Sequence, residues 1–290
     1  MIGWLQNKRR RLRWRWDMLI LHTTLEINWL AHGRRFSHAR RNRTASGVVV
    51  SLTSYPPRFS TLHLTLKSLL SQSFLADRIV LWIAHTDMAL LPPAVTDLQR
   101  AGLEICACDD IKSYKKMIPL LQQGEKAAIV TADDDVFYWR DWLQQLVQAR
   151  IPGKLEVICH RMHRMHLNAR GLPAPYNEWE FETHNAESSL LNFPTGIGGV
   201  LYPANVFGPE VLDVDAFTAL CPRGDDIWFW WMARANGATF KRVPQSNVVH
   251  CWDGSQDVAL WKDNLVGKFN DDQIQAMIGA YGFFTKRKIA

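Results

Sequence analysis

From residue 47 onward, short apolar runs alternate with stretches whose apolar residues recur at helical spacing. Val48 to Leu52 is a β-branched, apolar run of strand composition, and the turn Thr53–Arg58 (TSYPPR) follows it. Leu62, Leu66, Leu69 and Leu70 then fall on one helical face, with Ser60 or Thr61 placed to cap it. Arg78 to Ala84 reads as a second strand. Pro93 to Ala101 reads as a short helix that opens with proline and is stopped by Gly102. Leu103 to Cys108 is a third strand, ending at Asp109–Asp110. Tyr114 to Gln122 is helical in pattern, with Pro119 expected to kink it. Ala127 to Thr131 is a fourth strand, and Trp139 to Ala149 is the next helix. Four such units in residues 47–150 predict a parallel sheet with helices on both faces, a nucleotide-binding half.

The pattern loosens after residue 151. Leu155–Cys159 and Val200–Tyr202 read as strands, and Gly171–Trp179 (GLPAPYNEW) is a loop whose aromatic and amide groups suit a sugar ring. A helix after Cys221 carries Trp228, Trp231 and Met232 on one face and stops at Gly237. Thr239–Val243 is another strand, and 256–290 is expected to be a helical tail ending in the basic cluster TKRK. Upstream of the body, residues 1–46 form an extension. WLQNKRRRLRWRW (4–16) mixes Trp with Arg and Lys, and apolar residues follow at helical spacing to Leu30.

Charge sharpens that division. Residues 1–46 hold 11 Lys/Arg against two acids, a net of +9, whereas the other 244 residues hold 23 bases and 26 acids, a net of −3. The overall +6 therefore belongs to the extension, and the slightly acidic body argues against a shape for nucleic acid, which needs a basic face; no specific nucleic acid partner is expected. Trp with Arg suits an anionic membrane surface, reached through residues 1–45, although a helix packed on the body or an RNA-binding arm fits the same composition. The apolar pieces there are too short to span a bilayer, which takes about 20 residues. Five scattered cysteines without a CxxC pair fit reduced thiols, and the expected location is cytoplasmic, peripheral at the inner face of the membrane.

Candidate chemistry concentrates at acids. Asp133, Asp134 and Asp135 end the fourth strand, where ligands of open α/β sheets bind. In an extended chain Asp133 and Asp135 would point one way and Asp134 the other, and two like carboxylates aimed at one point call for a cation. An acidic loop or a helix N-cap is the competing reading. Asp225 and Asp226 open the Trp-rich helix, where one carboxylate could cap and the other act as a general base. His160, His163 and His166 lack a completing cysteine or carboxylate set, so polar loop positions are expected there rather than zinc ligands. Thr195–Gly199 (TGIGG) offers close backbone approach or an ordinary turn. No GxGxxG follows the first strand, which counts against a dinucleotide site, and no GxxxxGK[ST] occurs, which excludes a P-loop protein.

Together VVVSLTSYPPR, TADDDVF, GDDIWFWWMARANGATFKRVP and the Val248–His250 segment resemble the GT-A glycosyltransferases of the family 2 type, over about residues 47–252. SYKKMIP, CHRMH, PYNEW and TGIGGVLYP resemble a bacterial subgroup associated with surface-polysaccharide and lipopolysaccharide assembly. Two departures stand out: Ala84–His85–Thr86–Asp87 follows the second strand where the family often has Asp at once, and Asp225 replaces a more usual Glu.

The resemblance implies an α/β, Rossmann-like fold with a mixed, mainly parallel sheet and flanking helices. Its catalytic domain would span 47–255, divided into a nucleotide-sugar half (47–150) and an acceptor half (151–255). It implies transfer from a nucleoside diphosphate sugar to a glycan or lipid-linked acceptor, with inversion, and Mn²⁺ or Mg²⁺ held by Asp133, Asp135 and His250. Ser54, Tyr55, Arg58, Lys115, Lys116, Asp133 and Asp134 would face the donor. Asp226, with Asp225, would be catalytic, and His160, Trp179, Gly198 and Gly199 would lie on the acceptor side. The rival readings are a sugar-nucleotide pyrophosphorylase, which should carry a Gly-rich basic loop after the first strand, and a non-catalytic membrane- or RNA-binding protein on a degenerate transferase fold.

Overall fold

The computed structural model describes residues 2–33, 47–246, 249–253 and 269–283, with side chains from residue 16 in the first segment. Residues 34–45 of the basic arm and the terminal TKRK lie outside the described residues. The frame is a seven-stranded sheet built from β1 (Val48–Thr53), β2 (Arg78–Ala84), β3 (Leu103–Cys108), β4 (Ala128–Ala132), β6 (Glu156–Cys159), β9 (Val200–Tyr202) and β10 (Thr239–Arg242). Its order is β10-β6-β9-β4-β1-β2-β3. β1 runs parallel to β2 and β4, so Val50 sits between Ile79 and Val130, while β9 is antiparallel to both β4 and β6. The sheet is thus mixed and mainly parallel, and it continues unbroken from the first half of the chain into the second.

The two-residue period of the strands sorts the core into two layers. Val48, Val50 and Leu52 of β1 and Ile79, Leu81 and Ile83 of β2 face α2 (Phe59–Leu70), whose Leu62, Leu66, Leu69 and Leu70 are buried there. Val49, Val80 and Trp82 face the opposite layer, which holds α7 (Asp225–Ala235). The sequence marks one apolar face on α7, but Ile227 to Ala233 are all buried. α8 (Phe269–Tyr281) covers its outer side, with Tyr281 edge-on to Trp228 and Trp231 donating to the Gly282 carbonyl at 3.2 Å. Each buried indole N–H in α7 finds a carbonyl, as burial of a polar ring atom demands.

Some local expectations shift. Ser60 and Thr61 do not cap α2; a 3₁₀ turn at Pro56–Arg58 leads straight into it. Pro119 sits in the first turn of a short helix, Ile118–Gln122, where its missing N–H costs nothing, and the break falls at Met117 instead. The helix expected from Trp139 begins at Trp142, because β5 (Val136–Phe137) pairs antiparallel with β11 (His250–Cys251) just after the acidic turn. At the N-terminus a single helix, α1 (Ile2–His32), lies against α2. Its Leu21 and Leu25 are buried with Phe137 and Trp252, and Glu26 pairs with Lys67 of α2 at 2.7 Å.

Candidate active site

The site forms beyond the carboxyl end of β4, between the loop after β1 and the start of α7. The two-residue alternation expected of Asp133–Asp135 fails because the chain turns at Asp134–Asp135. Asp134 and Asp135 both meet Arg58, while Asp133 lies 3.5 Å from Lys116. Asp134 also accepts a hydrogen bond from Ser54 at 2.5 Å. Loss of water pushes the Asp134 carboxyl up to about 7, and Arg58 and Ser54 only partly offset this. Burial and the neighbouring Asp133 raise Asp135 as well. The turn is braced from below: Thr65 of α2 bridges to the carbonyls of Asp134 and Val136 at 3.0 Å, and Trp252 donates to the Thr65 hydroxyl at 2.9 Å. The main-chain amide of Trp252 donates to the Asp135 carbonyl, also at 2.9 Å.

Lys116 joins this turn to α7. Its ammonium sits 2.9 Å from Asp225, and the acids Asp225, Asp133 and Asp226 outweigh burial and keep it protonated. Neither acid caps the helix: Gly224 holds the N-cap position, and Asp225 and Asp226 are the first two helical residues. Asp226 accepts from the Gly196 amide at 2.8 Å through one oxygen. Its carboxyl is pushed up to about 7 by desolvation and by Asp225, with Lys116 and the Gly196 amide opposing. It is only half-buried, so it stays reachable from solvent.

The other predicted residues divide. Lys115 is buried and pairs with Asp110 at 2.7 Å, at the end of β3. Tyr55 is exposed beside Arg58 and hydrogen-bonds it. No hydrogen bond or ion pair among the described residues joins the acceptor-side set to the acids of the cluster. His160 is buried, stacks on Trp142 and bonds its carbonyl at 3.0 Å, and burial drops its pKa to about 4, which keeps it neutral. Gly198 and Gly199 adopt positive φ beside Trp142, and a Cβ on Gly199 would lie 2.5 Å from its ring. Trp179 is a core residue bonded to the Ala174 carbonyl. The glycine of this segment that touches the site is Gly196, where a Cβ would fall 2.8 Å from Asp226 and 3.2 Å from Lys116.

The expected metal set is not assembled. β11 directs His250 toward Trp139, and the charge that acts on its ring is Asp17 of α1, not the acids of the turn. Its neighbour Cys251 feels Asp135 and Asp133 instead, as alternation along a strand requires. Among the described residues no group of three His, Cys, Asp or Glu is placed to hold a metal ion. Arg58 and Lys116 occupy the positions where a cation's charge would act on Asp135 and Asp133. The residues as placed therefore do not fit the divalent ion that the resemblance implies.

Two side-chain placements were not read from the sequence, although Tyr176 lies in the loop whose aromatics were expected to suit a sugar ring. Tyr138 accepts a hydrogen bond from the Asp133 amide at 2.7 Å and so fixes the start of the turn. Tyr176 packs with Phe181, His163 and Trp179, and its hydroxyl feels both Asp226 and Arg161. That gives the Pro-rich loop an aromatic cluster whose Tyr176 hydroxyl lies within the electrostatic reach of Asp226.

No family model and no curated protein matches the chain. Solved structures that resemble it include S. aureus TarS 1–349 in complex with UDP, at 14% identity and TM-score 0.45, covering 80% of this chain and 65% of that one. The inositol-1-phosphate CTP transferase from T. maritima aligns at 12% identity and TM-score 0.41, over 77% of this chain and 96% of that one. The 4-diphosphocytidyl-2C-methyl-D-erythritol synthase from Anaerococcus prevotii aligns at 12% and 0.43, over 76% and 95%.

Proposed function

We propose that the chain is a glycosyltransferase that moves a sugar from a nucleoside diphosphate sugar to a hydroxyl of a glycan or lipid-linked acceptor. The observation that carries this reading is the placement of Asp226, half-buried and held by the Gly196 amide through one oxygen, beside the Lys116 that joins α7 to the acidic turn at the tip of β4. Burial and Asp225 raise its pKa. A general base works best when its pKa lies near the operating pH, so that it is ionised and still basic enough to take a proton. Asp226 would accept the proton of the acceptor hydroxyl as that oxygen attacks the anomeric carbon. With the diphosphate leaving from the opposite side, the configuration inverts. Lys116 and Arg58 would meet the negative charge that develops on the departing diphosphate. Each is balanced by acids, and each can exchange an acid for a phosphate oxygen. Tyr176 and Phe181 would stack on the acceptor sugar.

Arg58 also favours a second reading. It brings a base from the loop after β1 into the cluster, which a nucleotidyltransferase would use to bind a triphosphate. One panel separates the two. Nucleotide sugars should give slow release of nucleoside diphosphate, whereas a sugar phosphate with nucleoside triphosphates should give no pyrophosphate. The reverse pattern assigns the protein to nucleotidyl transfer, and silence in both arms leaves a non-catalytic binding protein. Running each arm with Mn²⁺, with Mg²⁺ and with chelator tests the divalent cofactor. Release that survives chelation assigns the charge to Arg58 and Lys116.

A further inference from the structure

α1 carries two apolar stripes, and the body covers only one. Leu21 and Leu25 are buried against Phe137 and Trp252. Trp16, Leu19, Ile20, Ile27 and Leu30 are 55–85% exposed. At about 100° per residue these five fall within roughly 100° of arc, opposite the buried pair. The helix cannot roll to hide them, because Leu21, Leu25 and the Glu26–Lys67 pair fix its orientation on α2. An exposed apolar stripe of this length, interrupted by Thr23, marks an interaction surface.

The occupant follows from charge. The same helix carries six Lys/Arg between positions 8 and 15, within an extension of net +9. Two copies side by side would bring like charges together, whereas an anionic bilayer neutralises them while its acyl boundary takes up the stripe. No described helix is long and apolar enough to cross a membrane, so a helix lying in the plane of the interface is the geometry that remains for α1. We infer that α1 docks the protein on anionic lipid, with Trp16, Leu19, Ile20, Ile27 and Leu30 in the acyl boundary. The helix also packs on the two-stranded β5–β11 sheet beside the acidic turn, so docking would hold the site at a fixed offset from the lipid surface.

The test is co-sedimentation of the full chain with vesicles of phosphatidylcholine alone or mixed with phosphatidylglycerol, which reads lipid partition and not turnover. Binding should be at least about tenfold tighter on the anionic vesicles and should weaken with salt. A combined Leu19→Ser, Ile20→Ser, Ile27→Ser and Leu30→Ser variant should lose at least about tenfold, with its melting temperature kept because the packed face is untouched. A second variant, with Arg9, Arg10, Arg11 and Arg13 changed to Gln, should bind both vesicle types equally weakly; it carries the test if the first misfolds. No binding, equal binding to both vesicle types by the unaltered chain, or undiminished binding by a folded serine variant overturns the inference. A dimer that the serine variant dissolves would assign the stripe to a second copy and overturn it as well.

Discussion

Asp134 and Asp226 invite comparison, because desolvation pushes both carboxyls up to about 7 and each has an acid beside it and a cation nearby. They differ in what holds them. Asp134 has a donor for each oxygen, Ser54 on one side and Arg58 on the other, and its turn is braced by Thr65. Asp226 hangs from a single amide, Gly196, through one oxygen, and among the described residues its other oxygen accepts no hydrogen bond. A carboxylate with both oxygens engaged organises its surroundings, whereas one with a free oxygen in a reachable position can take a proton from a bound hydroxyl. Under the proposed function, the same charge and the same shift would serve architecture in one place and chemistry in the other.

The largest expected effect tests that contrast. Asp226→Asn keeps the shape and the Gly196 contact but cannot accept a proton, and general-base catalysis contributes about 10²–10⁴-fold. Sugar transfer should fall by that factor while nucleotide diphosphate affinity, measured by calorimetry, stays within about twofold. Asp134→Asn should lower transfer far less. Equal losses in the two variants would erase the distinction.

A smaller effect concerns pH. The base must be ionised, so kcat/KM should rise with pH as one proton leaves near pH 7. Asp225 raises the Asp226 pKa by its charge, so Asp225→Asn should move that limb to lower pH, although Lys116 loses its closest partner. A limb that stays in place, or moves up, would mean that another group titrates in the profile.

How much of this was legible in the sequence depends on whether one element or several decide a residue's role. β1, β2, β3 and β4 fall within a residue of their predicted bounds, because buried strands read as apolar, β-branched runs. The Asp-rich turn was legible as a site, but the pointing of its acids was not: alternation holds only while the chain is extended, and the pairing of β5 with β11 turns it. TGIGG contains three glycines, and only the placement of Asp226 and Lys116 singles out Gly196. His160 reads as a polar loop residue until Trp142, 18 positions away, closes over it. His250 fails as an expected metal ligand for a related reason: one step of register along β11 gives the inward direction to Cys251. The apolar spacing of α1 was visible too, yet which stripe the body covers depends on Phe137 and Trp252, both distant in sequence.

The smallest expected effect is on stability, and it bears on Asp134 alone. Its folded pKa, about 7, lies above the ordinary carboxylate value, so the folded state holds a proton that the unfolded chain releases more readily. Its contribution is therefore fully favourable below about pH 4 and is lost as pH rises through about 7. Above that point the protein must hold a desolvated charge that Arg58 and Ser54 compensate only in part. Asn at this position presents an oxygen to Ser54 without the charge, and Arg58 keeps its pairing with Asp135. Asp134→Asn should therefore melt higher than the unaltered chain at pH 8, by about 2–4 °C for each kcal/mol recovered, with the gap closing toward pH 4. A lower melting temperature at pH 8 would mean that the Arg58–Asp134 attraction exceeds the cost of burying the carboxylate. The acidic turn would then be held by charge pairing, and its resemblance to the poised acid on α7 would be superficial.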